Sequence, residues 1–97
     1  MQTEVFAIFD KKAAIFSPPF YAPHKEIAIR NVAMAARNLD SQLGQYPSDF
    51  ALYALGTFDD HSAQFETGVP KFVVEVVGLV PVDTQLPLFS GEREAAE

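Results

Sequence analysis

Only one stretch of the chain carries a helical pattern, and that limits what the rest can become. Residues 24–39 contain the run EIAIRNVAMAARNL, which is rich in helix formers. Pro23 or His24 opens it, and Glu26 is favourable in the first turn. Ala28, Val32, Ala35 and Leu39 form one apolar stripe, widened by Ile29 and Ala36. Small alanines on that stripe let the helix lie close to a sheet. Arg30, Met34 and Arg37 share the opposite side. A single helix of this length needs a sheet to pack on.

The remaining apolar runs supply that sheet. Residues 4–16 read as a hairpin: Val5–Phe9 is wholly apolar, Asp10-Lys11-Lys12 is a polar break, and Ala13–Phe16 resumes the run. Apolar side chains on both faces imply a strand covered on two sides, or covered on one and used on the other. Ser17 to Pro23 holds three prolines and reads as a semi-rigid loop displaying Phe20 and Tyr21. Gln45 to Asp49 is a turn. Phe50 to Phe58 is a strand, Asp59 to Ser62 a polar tip, and Ala63 to Thr67 the returning strand of a second hairpin. Beyond Gly68-Val69-Pro70, Lys71 to Val80 is dense in β-branched residues and reads as a further strand. The order is β-β-α-β-β-β. The expected fold class is α+β, a mostly antiparallel sheet of two hairpins and a further strand with one helix on one face. Residues 1–81 form the single domain and 82–97 a flexible tail.

Composition narrows the functional classes. With 97 residues there is room for one domain. The absence of cysteine excludes disulfides, thiolate metal sites and a cysteine nucleophile, and it is consistent with a reducing cytoplasm. No run is long enough to span a bilayer. At the N-terminus the acid precedes the apolar run and the lysines follow it, the reverse of a signal peptide. The net charge of −6 argues against a binder held by phosphate contacts alone, which needs clustered Lys and Arg. There is no Gly-rich phosphate loop, no nucleophile elbow and no metal-ligand cluster, so neither an enzyme nor a cofactor is expected. Asp59, Asp60 and His61 read as a polar turn.

Two sets of residues stand out as candidate binding groups. The first is Lys11, Lys12, Phe20, Tyr21, Arg30 and Arg37, cations and aromatics that together would make a stacking platform for single-stranded DNA. Each has an ordinary alternative as a core ring or a solvated charge. The second is Gln85-Leu86-Pro87-Leu88-Phe89. It resembles the Gln-Leu-x-Leu-Phe peptide by which bacterial polymerases and repair proteins dock on the DNA polymerase III sliding clamp. Leu88 and Phe89 would anchor it, Leu86 would pack beside them, and Gln85 would hydrogen-bond in a second subsite. Pro87 would pre-extend the chain. A chance match in a chain of this length is on the order of one in a thousand. The alternative is a closing strand whose apolar side chains cover the sheet.

The body of the chain carries a second resemblance. The segments Ile8-Phe9-Asp10-Lys11-Lys12-Ala13, Ser17-Pro18-Pro19-Phe20 and Tyr46-Pro47-Ser48-Asp49-Phe50, and then Leu52 to Asp60, are similar to the small non-structural protein of gokushovirus-type microviruses. These are bacteriophages with single-stranded DNA genomes. The similarity spans roughly residues 5–66. It implies a DNA-binding protein of the host cytoplasm, implicated in switching from genome replication to packaging, with no catalytic residues to carry over. Three readings follow. The tail docks on the clamp while the body meets DNA or a phage partner; or the body alone binds single-stranded DNA; or edge strands pair copies into a small homo-oligomeric assembly protein.

Overall fold

A strand with apolar residues at every position needs cover on both faces, and the computed structural model shows how the chain provides it. The structure describes residues 2–80. The elements are β1 (Gln2–Asp10), β2 (Ile15–Phe16), β3 (Phe20–Ala22), α1 (Lys25–Ala36), α2 (Gln42–Gln45), β4 (Phe50–Asp59) and β5 (Gln64–Glu75). Short 3₁₀ turns occupy Pro47–Asp49 and Val76–Leu79. The fold is α+β with one curled antiparallel sheet and one main helix. The sheet runs β2-β1-β4-β5, and β3 pairs with the same edge of β1 as β2 does. The N-terminal strand is therefore interior.

Helix α1 covers one face of this sheet. Ala28, Val32 and Ala36 recur every fourth residue and pack with Phe6, Ala22, Phe50, Leu52, Val76 and Val80 as the core. Small side chains on α1 bring its axis close to Phe6 and Leu52, both with no exposed surface. The helix is shorter than its sequence pattern. It stops at Ala36, and Ala35 and Leu39 are exposed. Ser41 sets that stop. Its hydroxyl lies 3.0 Å from the Ala35 carbonyl and 2.7 Å from that of Asn38, and it accepts from the Gly44 N–H at 3.0 Å. One side chain thus tends the end of α1 and the start of α2.

Three local features differ from the sequence expectation. Phe20–Ala22 is a strand inside the predicted proline loop. Ser17-Pro18-Pro19 breaks one edge strand into β2 and β3 because prolines donate nothing to the ladder. Ser17 repairs the break: its N–H donates to the Ile8 carbonyl at 2.7 Å, and its hydroxyl accepts from the Ile8 N–H at 2.9 Å. The two strands expected after the tip are one continuous β5, with Gly68-Val69-Pro70 forming a wide bulge opposite Leu55. Val76 to Leu79 leaves the sheet as a 3₁₀ turn, which carries Val76 and Val80 into the core.

Both hairpin turns use the same chemistry. Asp10 accepts from the N–H of Lys12 and Ala13, and Ala14 closes the turn at φ 60°. Asp59 accepts from the His61 N–H at 2.9 Å, and Ala63 closes at φ 58°. The aspartate satisfies the turn amides that the strands leave free. The backbone N–H of His61, first, holds the Asp59 carboxyl below the usual aspartate range. At the start of α1, the Glu26 carboxyl is likewise lowered, first by its own N–H and then by the His24 ring 3.1 Å away.

Strands β1, β4 and β5 run on together past the helix, with Gln2 still paired to Asp59 at the end of β4. Every residue from Gln64 to Phe72 is exposed. The radius of gyration is 16.0 Å, against about 12 Å for a compact chain of this size. The molecule is a small two-layer body whose sheet extends beyond the helix as three strands, β1, β4 and β5.

Candidate functional site

The face of the sheet turned away from α1 is built by strand alternation. Residues paired across strands share a face. The pairings Phe9 with Phe16, Ala7 with Tyr53, Tyr53 with Phe72, Val5 with Tyr21, and Phe58 with Phe65 place all of these on that side. Val5, Ala7 and Ala51 are buried there yet stand outside the helix-side core. The curl of the sheet and the flanking rings cover them.

Seven rings thus share one face, in two groups. Tyr53 is the hub of the first, with edge-on contacts to Phe16 at 5.4 Å, Phe72 at 5.8 Å and Phe9 at 5.9 Å. Phe9 and Phe16 approach to 4.7 Å. The second group is Tyr21, Phe58 and Phe65, with Phe58 and Phe65 at 4.9 Å. Edge-on and tilted pairs are the preferred geometry of aromatic quadrupoles, so each ring helps hold its neighbours in place. Phe16, Tyr21, Phe65 and Phe72 keep between 41% and 56% of their surface exposed. A monomer seldom leaves so much aromatic surface open without a partner for it.

Between the groups lies a row of small residues, Val5, Gly56 and Thr67. Gly56 has φ 156°, and a Cβ there would sit 2.0 Å from the Glu66 carbonyl oxygen. Only glycine allows β4 and β5 to close at this row. It stands beside Leu55, the extra residue of β4 against β1, so the sheet bends between the two groups. The opposite face of the same bend is an open hollow of about 780 Å³ lined by Glu4, Thr57, Glu66 and Lys71, among others.

The aromatic face is almost uncharged. Among the described residues its one charged member by strand register is Glu75, paired with Ala51, and Lys11 reaches over to it at 2.6 Å. Both partners are about 40% exposed, so the pair is a weak clasp and not a fixed one.

The residues singled out from sequence are not brought together. Tyr21 lies on the aromatic face. Phe20, its neighbour, points the other way and stacks on Phe6 at 5.9 Å in the helix-side core. Lys11 stands at the rim of the face, held by Glu75, and Lys12 is exposed on the adjoining turn. Arg30 is exposed on α1 and Arg37 is exposed as its C-cap residue, both in the layer on the far side of the sheet. Gln85, Leu86, Leu88 and Phe89, with the whole segment 82–97, lie outside the described residues. Sequence reasoning left Phe9, Phe16, Tyr53, Phe58, Phe65 and Phe72 out of the candidate site. The signal for the first was the odd-numbered set Val5, Ala7 and Phe9, masked by the equally apolar Phe6 and Ile8.

Among the described residues, no helix is long and apolar enough to cross a membrane. No curated protein and no solved structure matches the chain. The model of the phage ORF5 protein family matches residues 3–79, which takes in the described strands except Gln2 of β1, both helices and all seven rings. The chain belongs to the phage ORF5 protein family.

Proposed function

We propose that this phage protein is a non-structural, non-catalytic binder of single-stranded DNA in the host cytoplasm, acting in genome replication or in the switch to packaging. One observation carries the reading: seven rings on one sheet face, four of them about half open. Open aromatic sheet faces suit unpaired bases, because every base has a π-face to stack and duplex DNA hides its own. The net charge of −6 and the lone clasped lysine at the rim make stacking the source of affinity, with Lys11 and Lys12 as the nearby phosphate contacts. The resemblance to the microvirus non-structural protein supports the same biology.

The test is tyrosine fluorescence quenching with a single-stranded oligothymidylate, since Tyr21 and Tyr53 lie on the face and the chain has no tryptophan. Phe72→Ala should weaken binding roughly 5- to 100-fold, the range for losing one stacked base. With two phosphate contacts at most, the slope of log affinity against log salt should be no steeper than about −1.5. Absence of binding at low salt refutes the reading, and a steep slope with no effect of Phe72→Ala moves the site to the basic residues.

A second reading rests on the four matching positions of the tail peptide. Gln85, Leu86, Leu88 and Phe89 would dock on the host sliding clamp and bring the protein to replicating DNA. Clamp binding with and without residues 82–97 tests it. Unchanged affinity after Leu88→Ala with Phe89→Ala removes it.

A further inference from the structure

Strand β5 ends the sheet, and among the described residues its outer edge has no partner. It is 12 residues long and exposed from Gln64 to Phe72, with Val69 at 84%. Natural edge strands are short, covered or blunted with lysine and proline. This one has Lys71 and Pro70, but their positions match a second copy of the same strand. The segment reads Phe65-Glu66-Thr67-Gly68-Val69-Pro70-Lys71-Phe72. Laid antiparallel on itself about its centre, it sets Phe65 opposite Phe72 and Glu66 opposite Lys71, twice each.

The faces agree as well. Phe65 pairs with Phe58 and Phe72 with Tyr53, so both lie on the aromatic face. Glu66 pairs with Thr57 and Lys71 with Ala54, so both lie on the helix side. The bulge at residues 68–70 shifts the parity and makes this possible: without it, one member of each pair would point the wrong way. Among the described residues neither Glu66 nor Lys71 makes an ion pair within its own chain. Pro70 falls within the bulge, where β5 has already left the ladder with β4.

We infer that the protein forms a two-fold dimer by antiparallel pairing of β5 with β5 of a second copy, in the register that joins Glu66 to Lys71 and Phe65 to Phe72. A two-fold axis normal to the sheet keeps the same face of both copies on one side. The Phe58–Phe65 group of one copy then abuts the Tyr53–Phe72 group of the other. The stacking face becomes continuous across the pair. The dimer itself stands independently of what that face binds.

The test is the mass of the full chain in solution without nucleic acid, by light scattering and sedimentation at about 100 µM, well above the dissociation constant of a micromolar pair. The expected mass is twice 10.7 kDa. Glu66→Lys alone and Lys71→Glu alone place like charges opposite each other and should raise the dissociation constant at least tenfold. Both residues are exposed, and unchanged circular dichroism will show that each variant folds. Mixing the two single variants sets the paired lysines of one copy opposite the paired glutamates of the other, and should restore the dimer. The double swap in one chain should restore it as well. A monomeric wild type overturns the inference. So does a dimer that ignores the single reversals, or single variants that fail to rescue each other. Because no DNA is present, these outcomes are separate from the oligothymidylate titration.

Discussion

The substitution Gly56→Ala places one methyl group where the sheet has no room for it. Its Cβ would stand 2.0 Å from the Glu66 carbonyl oxygen, 2.9 Å from the Glu66 carbonyl carbon and 2.9 Å from the Thr67 Cα. All three are backbone atoms, so no rotamer change relieves the contact. Relief requires β5 to move away from β4 by about 1 Å, or β4 to abandon φ 156° and with it the bend at Leu55. Overpacking of this kind costs about 1–3 kcal/mol. A non-glycine residue at this backbone angle costs about 1–3 kcal/mol more. The sum, about 2–6 kcal/mol, is a large part of the stability of a small domain. At about 4–8 °C per kcal/mol, the melting temperature should fall by at least about 8 °C. Thermal unfolding followed by far-ultraviolet circular dichroism reads this directly. Gly68→Ala is the control: nothing lies within 4 Å of its Cβ, and its φ is not in the positive range. It should change stability by no more than about 0.5 kcal/mol. A Gly56→Ala melting temperature within about 3 °C of wild type, or equal losses at both glycines, would refute the close-approach argument.

Three other outcomes are expected. Ser17→Ala leaves the Ile8 N–H without its acceptor at the broken edge, and should destabilise by about 1–2 kcal/mol in urea unfolding, whereas Ser17→Thr should retain most of that. Leu52→Ala empties a site with no exposed surface and should lose about 2–5 kcal/mol by the same assay. The Asp59 carboxyl is lowered in the folded protein, so its support of the turn is full above the ordinary aspartate value and fades as pH falls through the folded value; a carboxyl-carbon titration should place its midpoint below about 3.9. In Asp59→Asn the β4–β5 turn should lose that dependence on acid.

What could be read from sequence was the part governed by local chemistry. The helix showed in its alanine and valine spacing, and both turns in their aspartates. The α+β class followed from hairpins around one helix. The strand breaks misled in places because Gly68 and Pro70 signal a loop in any isolated reading, while a bulge on an edge strand tolerates both. Leu39 fitted the helical stripe, yet the Ser41 hydroxyl ends the helix before it. The site was hidden for a related reason. Its rings come from all five strands, one or two from each, and only strand pairing collects them. Phe20 and Tyr21 look equivalent in the chain. Adjacent positions on a strand face opposite ways, so one joined the core and the other the open face.

The interior position of the N-terminal strand also sets the order of events in folding. β1 pairs along its length with β4, joining Phe9 to Ala51 and Gln2 to Asp59. During synthesis, about half of the chain must emerge before the first strand meets its main neighbour. Until then β1 has only the short, proline-interrupted β2 and β3 beside it, too little for an isolated hairpin to persist. Such distant pairings place the chain among domains that fold in milliseconds to seconds rather than microseconds. Phe6 and Phe9 lack the cover of β4 over that interval, and uncovered aromatics of this kind make an incomplete fold prone to aggregate.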